Sequence, residues 1–160
     1  RCGGVIPESG SNLGYALSYS YREGDVAAFR GRLVRSGDGV EALHDPSFGA
    51  SKRVAGAILM MMGYSPEHRS AMNIRSAAPV IDACSRLGFE TADIQPDEPF
   101  ALGSSVEQAI ASVMDTRQSA PDVIYDYGAH GLEPMALVFG RHPREVAEKA
   151  IAISDSLRET

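Results

Sequence analysis

The chain has 160 residues, 44% of them apolar and 22% charged, which is ordinary for a soluble globular core and long enough to enclose a pocket. A net charge of −6 argues against stand-alone nucleic-acid binding, whose usual footprint is a basic patch. The longest apolar run, residues 54–62, falls far short of the ~20 residues that span a bilayer, and no leader pattern opens the chain, so a cytoplasmic protein without membrane contact is expected. Cys2 and Cys84 have no metal or redox spacing.

In chain order, residues 12–16 read as a short strand. Residues 32–35 and 40–44 flank Ser36-Gly37-Asp38-Gly39, a hairpin signal in which Asp-Gly supplies positive φ. A helix follows over 51–62, with Val54, Ile58, Leu59 and Met62 at helical spacing. A strand over 72–75 leads to a helix over 79–87, with Pro79 in its first turn, Gly88 as its stop and Cys84 buried on its apolar face. Residues 90–94 form a strand, 95–99 a surface loop, and 104–116 a helix with Val106, Ala109, Ile110, Val113 and Met114 on one stripe. Strands over 123–125 and 136–139 precede a last helix that starts at Pro143. Hairpins mixed with crossover helices imply an α/β fold: one domain over 1–160, a three-layer α/β/α sandwich on a mixed, largely antiparallel sheet.

Four stretches carry candidate chemistry. In Phe48-Gly49-Ala50-Ser51-Lys52-Arg53, the small residues admit a ligand, Ser51 is a natural N-cap, and the helix N-terminus favours an anion. Lys52 and Arg53 oppose the helix dipole there unless an anion compensates. In Gly31-Arg32-Leu33-Val34-Arg35, strand alternation turns one arginine toward core or cleft, where a guanidinium needs phosphate or carboxylate. Asn73 and Arg75 share a strand face, a pairing that suits a heteroaromatic ring with a phosphate tail. Asp126, His130 and Glu133 stand around a strand end and a glycine-bearing loop; the two acids could hold hydrated Mg²⁺ or bond an aminopyrimidine, and His130 could do acid/base work. His44, His68 and His142 read as surface or capping residues. These pieces alone support a phosphate-bearing small-molecule site and no particular reaction.

Taken together, the blocks Val5-Ile6-Pro7-Glu8, Gly10-Ser11-Asn12, Tyr15-Ala16, Asp25-Val26-Ala27-Ala28-Phe29, Gly31-Arg32, Phe48-Gly49-Ala50-Ser51, Ala71-Met72-Asn73-Ile74-Arg75, Pro121-Asp122-Val123-Ile124-Tyr125-Asp126 and Gly131-Leu132-Glu133-Pro134-Met135 resemble the ThiN family across nearly the whole chain. The resemblance implies an α/β/α sandwich and thiamine-phosphate synthase activity. That enzyme joins hydroxymethylpyrimidine diphosphate to thiazole phosphate and releases pyrophosphate with Mg²⁺, without an organic cofactor. It places the family's catalytic arginine at Arg32 and its catalytic histidine at Arg53, exchanging a group that can pass protons near neutrality for one that cannot. Leu132 where a lysine is expected, the segment Gly103-Ser104-Ser105-Val106 and the lack of tryptophan are further departures.

These departures suit archaeal regulators of thiamine genes, in which a ThiN-like domain follows a helix-turn-helix and binds thiamine phosphates without making them. On that reading the chain is the C-terminal part of a longer protein and touches DNA only through a domain outside it. A palindromic operator would then call for a homodimer. Arg32, Ser51, Lys52, Arg53 and Arg75 would bind the phosphate of thiamine phosphate or diphosphate, and Asn12, Asn73, Asp126 and Glu133 the rest of the ligand, the two acids also serving any Mg²⁺. The alternative is an active synthase that retains Arg32.

Overall fold

The structure, a computed structural model, describes residues 2–94, 106–128 and 133–159. The loop expected at 95–99, the segment 103–105, His130, Gly131 and Leu132 lie outside the described residues. Nine strands are described: β1 (Leu13–Ala16), β2 (Val26–Phe29), β3 (Leu33–Ser36), β4 (Gly39–Ala42), β5 (Pro46–Phe48), β6 (Ser70–Arg75), β7 (Thr91–Asp93), β8 (Val123–Tyr125) and β9 (Met135–Gly140). Four helices accompany them: α1 (Lys52–Tyr64), α2 (Ala78–Arg86), α3 (Val106–Met114) and α4 (Pro143–Arg158).

Seven strands form one sheet in the order β5-β2-β1-β6-β9-β8-β7, antiparallel throughout except for the parallel pair β7 and β8. The side-chain alternation of β6 and β9 divides the core between its two faces. Ala71, Leu137 and Phe139 turn toward α1 and α3, while Met72, Ile74, Ala136 and Val138 turn toward α2 and α4. Both faces are covered, so β9 is buried along its whole length and reads as a continuous apolar run. This is the expected α/β/α sandwich with a mixed sheet.

Local chemistry sets the helix ends. Ser51 Oγ accepts the Val54 N–H at 3.4 Å and starts α1. Pro79 sits in the first turn of α2, and Gly88 at φ +78° follows its end. His142 caps α4 by accepting the Glu145 N–H at Nδ1, and Glu145 Oε2 in return accepts the Arg141 N–H at 2.9 Å. A side chain on Gly14 of β1 would place its Cβ 2.7 Å from Val54 Cγ1 and 2.9 Å from Ile58 Cδ1. The bare glycine lets α1 lie close on the sheet and brings its N-terminus over β1 and β6.

β3 and β4 form a separate hairpin, attached to the rest through an isolated bridge between Ser11 and Leu33. Its turn is Gly37-Asp38, with the positive φ (+60°) at Gly37 rather than at an Asp-Gly pair. Arg32 is not a strand residue as the alternation suggested. It stands in the turn before β3 at φ +69°, directly after Gly31 at +74°. Arg35 is exposed on the hairpin, where its Nε donates to the Gly37 carbonyl at 3.0 Å.

Candidate functional site

Six separate stretches of the chain meet above the sheet between β1, β6, β9 and the start of α1. They enclose a cleft of about 150 Å³ lined by Ser9, Gly10, Ser11, Asn12, Arg32, Ser51, Arg53, Val54, Asn73, Val106, Met135 and Leu137. Val54, Val106, Met135 and Leu137 make an apolar floor. Ser9, Arg32, Ser51 and Arg53 supply polar and cationic groups. Of the residues expected to form a site, Asn12, Arg32, Ser51, Arg53 and Asn73 are brought together here.

Arg32 owes its place to its backbone. A left-handed conformation costs an L-residue about 1–2 kcal/mol, so the surrounding structure has to enforce it. Gly10, itself at φ +89°, packs against this turn: a Cβ there would lie 3.2 Å from the Leu33 carbonyl oxygen and 3.4 Å from both Cβ and Cδ of Arg32. The guanidinium then reaches the Ser9 carbonyl, with Nη1 donating at 2.7 Å. An arginine carries five N–H donors, and this bond uses one of them.

The start of α1 faces the same cleft. Gly49 at φ +75° turns the chain, Ser51 caps the helix, and Arg53 lines the cleft from the first turn. First-turn N–H groups have no acceptor within a helix, and the helix dipole points its positive end the same way. Two guanidiniums and a helix N-terminus gather on one small cleft, an arrangement chemically able to accept an anion, above apolar side chains.

The two asparagines line this cleft, yet their polar atoms tie strands together. Asn12 Oδ1 accepts the Phe29 N–H at 2.9 Å, and Nδ2 donates to the Phe29 carbonyl at 2.9 Å. Asn73 Oδ1 accepts the Asn12 N–H at 2.7 Å, and its Nδ2 faces the Gly10 carbonyl and Met135 Sδ, each at 3.3 Å. Ser11 Oγ donates to the Asn73 carbonyl.

The other expected site residues stand elsewhere. Lys52 is exposed and does not line the cleft. Arg75 is exposed at the end of β6, beyond the cleft. Asp126 is 1% exposed, and its Oδ1 accepts the backbone N–H groups of Gly128 (3.0 Å) and Met135 (2.9 Å). Glu133 accepts the Glu8 N–H at 2.9 Å and the Ser9 hydroxyl at 3.0 Å, one at each carboxylate oxygen. Both acids fasten loops through these bonds. Among the described residues no group of three or more His, Cys, Asp or Glu side chains could hold a metal ion. No helix among them is long and apolar enough to cross a membrane.

Ser9, Ser11, Val54, Val106, Met135 and Leu137 entered the site unannounced by the sequence. The run Ser9-Gly10-Ser11 was the available signal, but small polar residues of this kind occur in any turn.

The profile of the family described as Thiamine-phosphate synthase ThiN matches residues 1–152. The chain is 35% identical over 154 residues to the Thiamine-phosphate synthase ThiN of Methanothermobacter thermautotrophicus, covering 93% of this chain and 81% of that protein. It is 33% identical over 150 residues to the Bifunctional thiamine biosynthesis protein ThiDN of Methanocaldococcus jannaschii, of whose length it spans 36%. The crystal structure of the C-terminal domain of a phosphomethylpyrimidine kinase superposes with a TM-score of 0.80 at 38% identity, over 94% of this chain and 88% of that one. The chain belongs to the thiamine-phosphate synthase ThiN family.

Proposed function

We propose that the cleft binds thiamine phosphate or thiamine diphosphate, and that the domain is the ligand-sensing part of a regulator of thiamine biosynthesis. The observation that carries this reading is the convergence of Arg32, Arg53 and the capped start of α1 on one cleft. Arginine suits phosphate, because its planar fork donates to two oxygens at once. It does not suit proton transfer, since a guanidinium stays protonated at any physiological pH. Arg53 stands where the family resemblance places a catalytic histidine, so the cleft keeps its affinity for anions and lacks a titrating group at that position. DNA contact, and the dimer that a palindromic operator calls for, belong to the same reading, with DNA reached through a part outside these residues.

A second reading is an active synthase, the activity for which the relatives are named, with Arg32 drawing charge onto the departing diphosphate and Arg53 assisting. Mg²⁺ in that case would arrive with the diphosphate, since this ion commonly binds substrate phosphates and keeps several waters.

The deciding experiment mixes the protein with hydroxymethylpyrimidine diphosphate, thiazole phosphate and Mg²⁺ and follows thiamine phosphate by thiochrome fluorescence. Calorimetric titration with thiamine phosphate and diphosphate runs in parallel. Micromolar binding without turnover supports the sensor, sustained turnover supports the synthase, and the absence of both binding and turnover defeats both readings.

A further inference from the structure

Glu133 lies 124 positions from Ser9 in sequence, yet its carboxylate is bonded to the turn that holds Arg32. One oxygen accepts the Glu8 N–H and the other the Ser9 hydroxyl. The carbonyl of the same Ser9 accepts from Arg32 Nη1. The turn between them is stiff. Gly10 N–H donates to the Pro7 carbonyl at 2.9 Å, and Ser11 and Leu33 exchange both backbone hydrogen bonds, at 2.8 and 2.7 Å.

Glu133 is itself anchored from behind. The next two residues are tied to neighbouring strands: the Pro134 carbonyl accepts the Ser76 N–H at 3.4 Å, and the Met135 N–H donates to Asp126 at 2.9 Å. Ser9 and Arg32 line the cleft and Glu133 does not. A carboxylate with both oxygens already accepting, beside a site for an anion, is badly suited to touch that anion, because like charges repel.

We infer that Glu133 is a positioning residue that acts through Ser9 on Arg32. It fixes the turn at Glu8 and Ser9, so that the Ser9 carbonyl holds a long, rotamer-rich arginine aimed at the cleft before any ligand arrives. Such preorganisation raises affinity by lowering the ordering cost of binding. The inference rests on the phosphate reading of the cleft.

A double-mutant cycle on thiamine phosphate binding tests it. Glu133→Ala is expected to weaken binding by about tenfold, the scale of one well-placed hydrogen-bond network. Glu133→Gln keeps an acceptor for the Glu8 N–H and a partner for the Ser9 hydroxyl, and is expected to restore most of that loss. In an Arg32→Ala background, Glu133→Ala is expected to cost nothing further. Equal losses in the alanine and glutamine variants would mean that the charge itself meets ligand or metal, and would overturn the inference. So would a Glu133→Ala penalty that persists without Arg32.

A ligand-free readout separates this inference from the reading beneath it. The Arg32 Nε–H resonance should report a held side chain in the wild type and Glu133→Gln, and a mobile one in Glu133→Ala. That pattern in a protein that binds no thiamine phosphate would sink the ligand and leave the positioning role standing. An Arg32 signal indifferent to Glu133→Ala would overturn the positioning role whatever the ligand.

Discussion

Asn12 and Phe29 pair as if the asparagine side chain were a piece of neighbouring strand, with Oδ1 accepting the Phe29 N–H and Nδ2 donating to the Phe29 carbonyl, both at 2.9 Å. The β1–β2 register runs through Tyr15↔Ala27 and Ala16↔Val26, so this amide continues the attachment past the paired residues toward Phe29. Asn12→Ala removes both bonds at a position only 6% exposed. The expected loss is about 2 kcal/mol of unfolding free energy, since the orphaned groups are desolvated without partners. Urea denaturation should show a lower midpoint at unchanged slope. A variant of wild-type stability that no longer binds thiamine phosphate would instead place Asn12 in direct ligand contact.

The backbone of Arg32 can be separated from its side chain by comparing two substitutions. Arg32→Ala deletes the guanidinium and keeps a Cβ at φ +69°, whereas Arg32→Gly also removes the steric cost of that angle. Glycine is therefore expected to be the more stable of the two by roughly 1 kcal/mol, with both losing phosphate affinity alike. Thermal unfolding of the pair checks this, and a glycine variant no more stable than alanine would remove the strain argument.

Acid should weaken the fold through His68. Burial holds its pKa below the ordinary 6.5, the charges of Lys149 and Arg141 push the same way, and Glu67 and Glu145 push back. The unfolded chain then binds the proton more readily than the folded one, so this contribution is complete above the ordinary value and is lost as pH falls through the folded value. Ser65 Oγ lies 2.6 Å from His68 Nδ1, and an asparagine can keep a polar partner for it without titrating. The melting temperature of the wild type should fall between pH 7.5 and 5.5 more steeply than that of His68→Asn; matching slopes would refute the assignment.

Thiol labelling should distinguish the two cysteines. Cys84 is fully buried on α2, and burial, with the Asp122 charge adding to it, pushes its thiol up to about 11. Cys2 is half-buried near the surface. At pH 8 a disulfide reagent should modify one thiol per folded chain, and the second only in denaturant. Rapid modification of both would show that α2 opens readily from the sheet.

The helices were legible because each joined an apolar stripe to a stop or start signal, such as Pro79 with Gly88 or Ser51 ahead of Val54. Two strands were not. β2 is Val-Ala-Ala-Phe and β5 is Pro-Ser-Phe, too short and too rich in small residues for a period of two to stand out. Nothing local forecasts an arginine at positive φ; the neighbouring Gly31 was the available hint, and the turn depends on Gly10 and Ser11 meeting it from elsewhere. The capped start of α1 was readable, since Gly49, Ser51 and Arg53 stand in one contiguous segment. The work of Glu133 was hidden, because its partners lie at the other end of the chain.

The sheet ends on each side in a strand of only three residues, β5 and β7. β5 opens with Pro46, which has no N–H to offer a newcomer, and β7 closes with the exposed Asp93. Among the described residues, brief, proline-bearing or charged borders give another chain little to zip onto, which disfavours sideways growth into fibrils or edge-paired aggregates. Copies of this domain that associate would then do so more readily through helices and loops than through the described borders of the sheet.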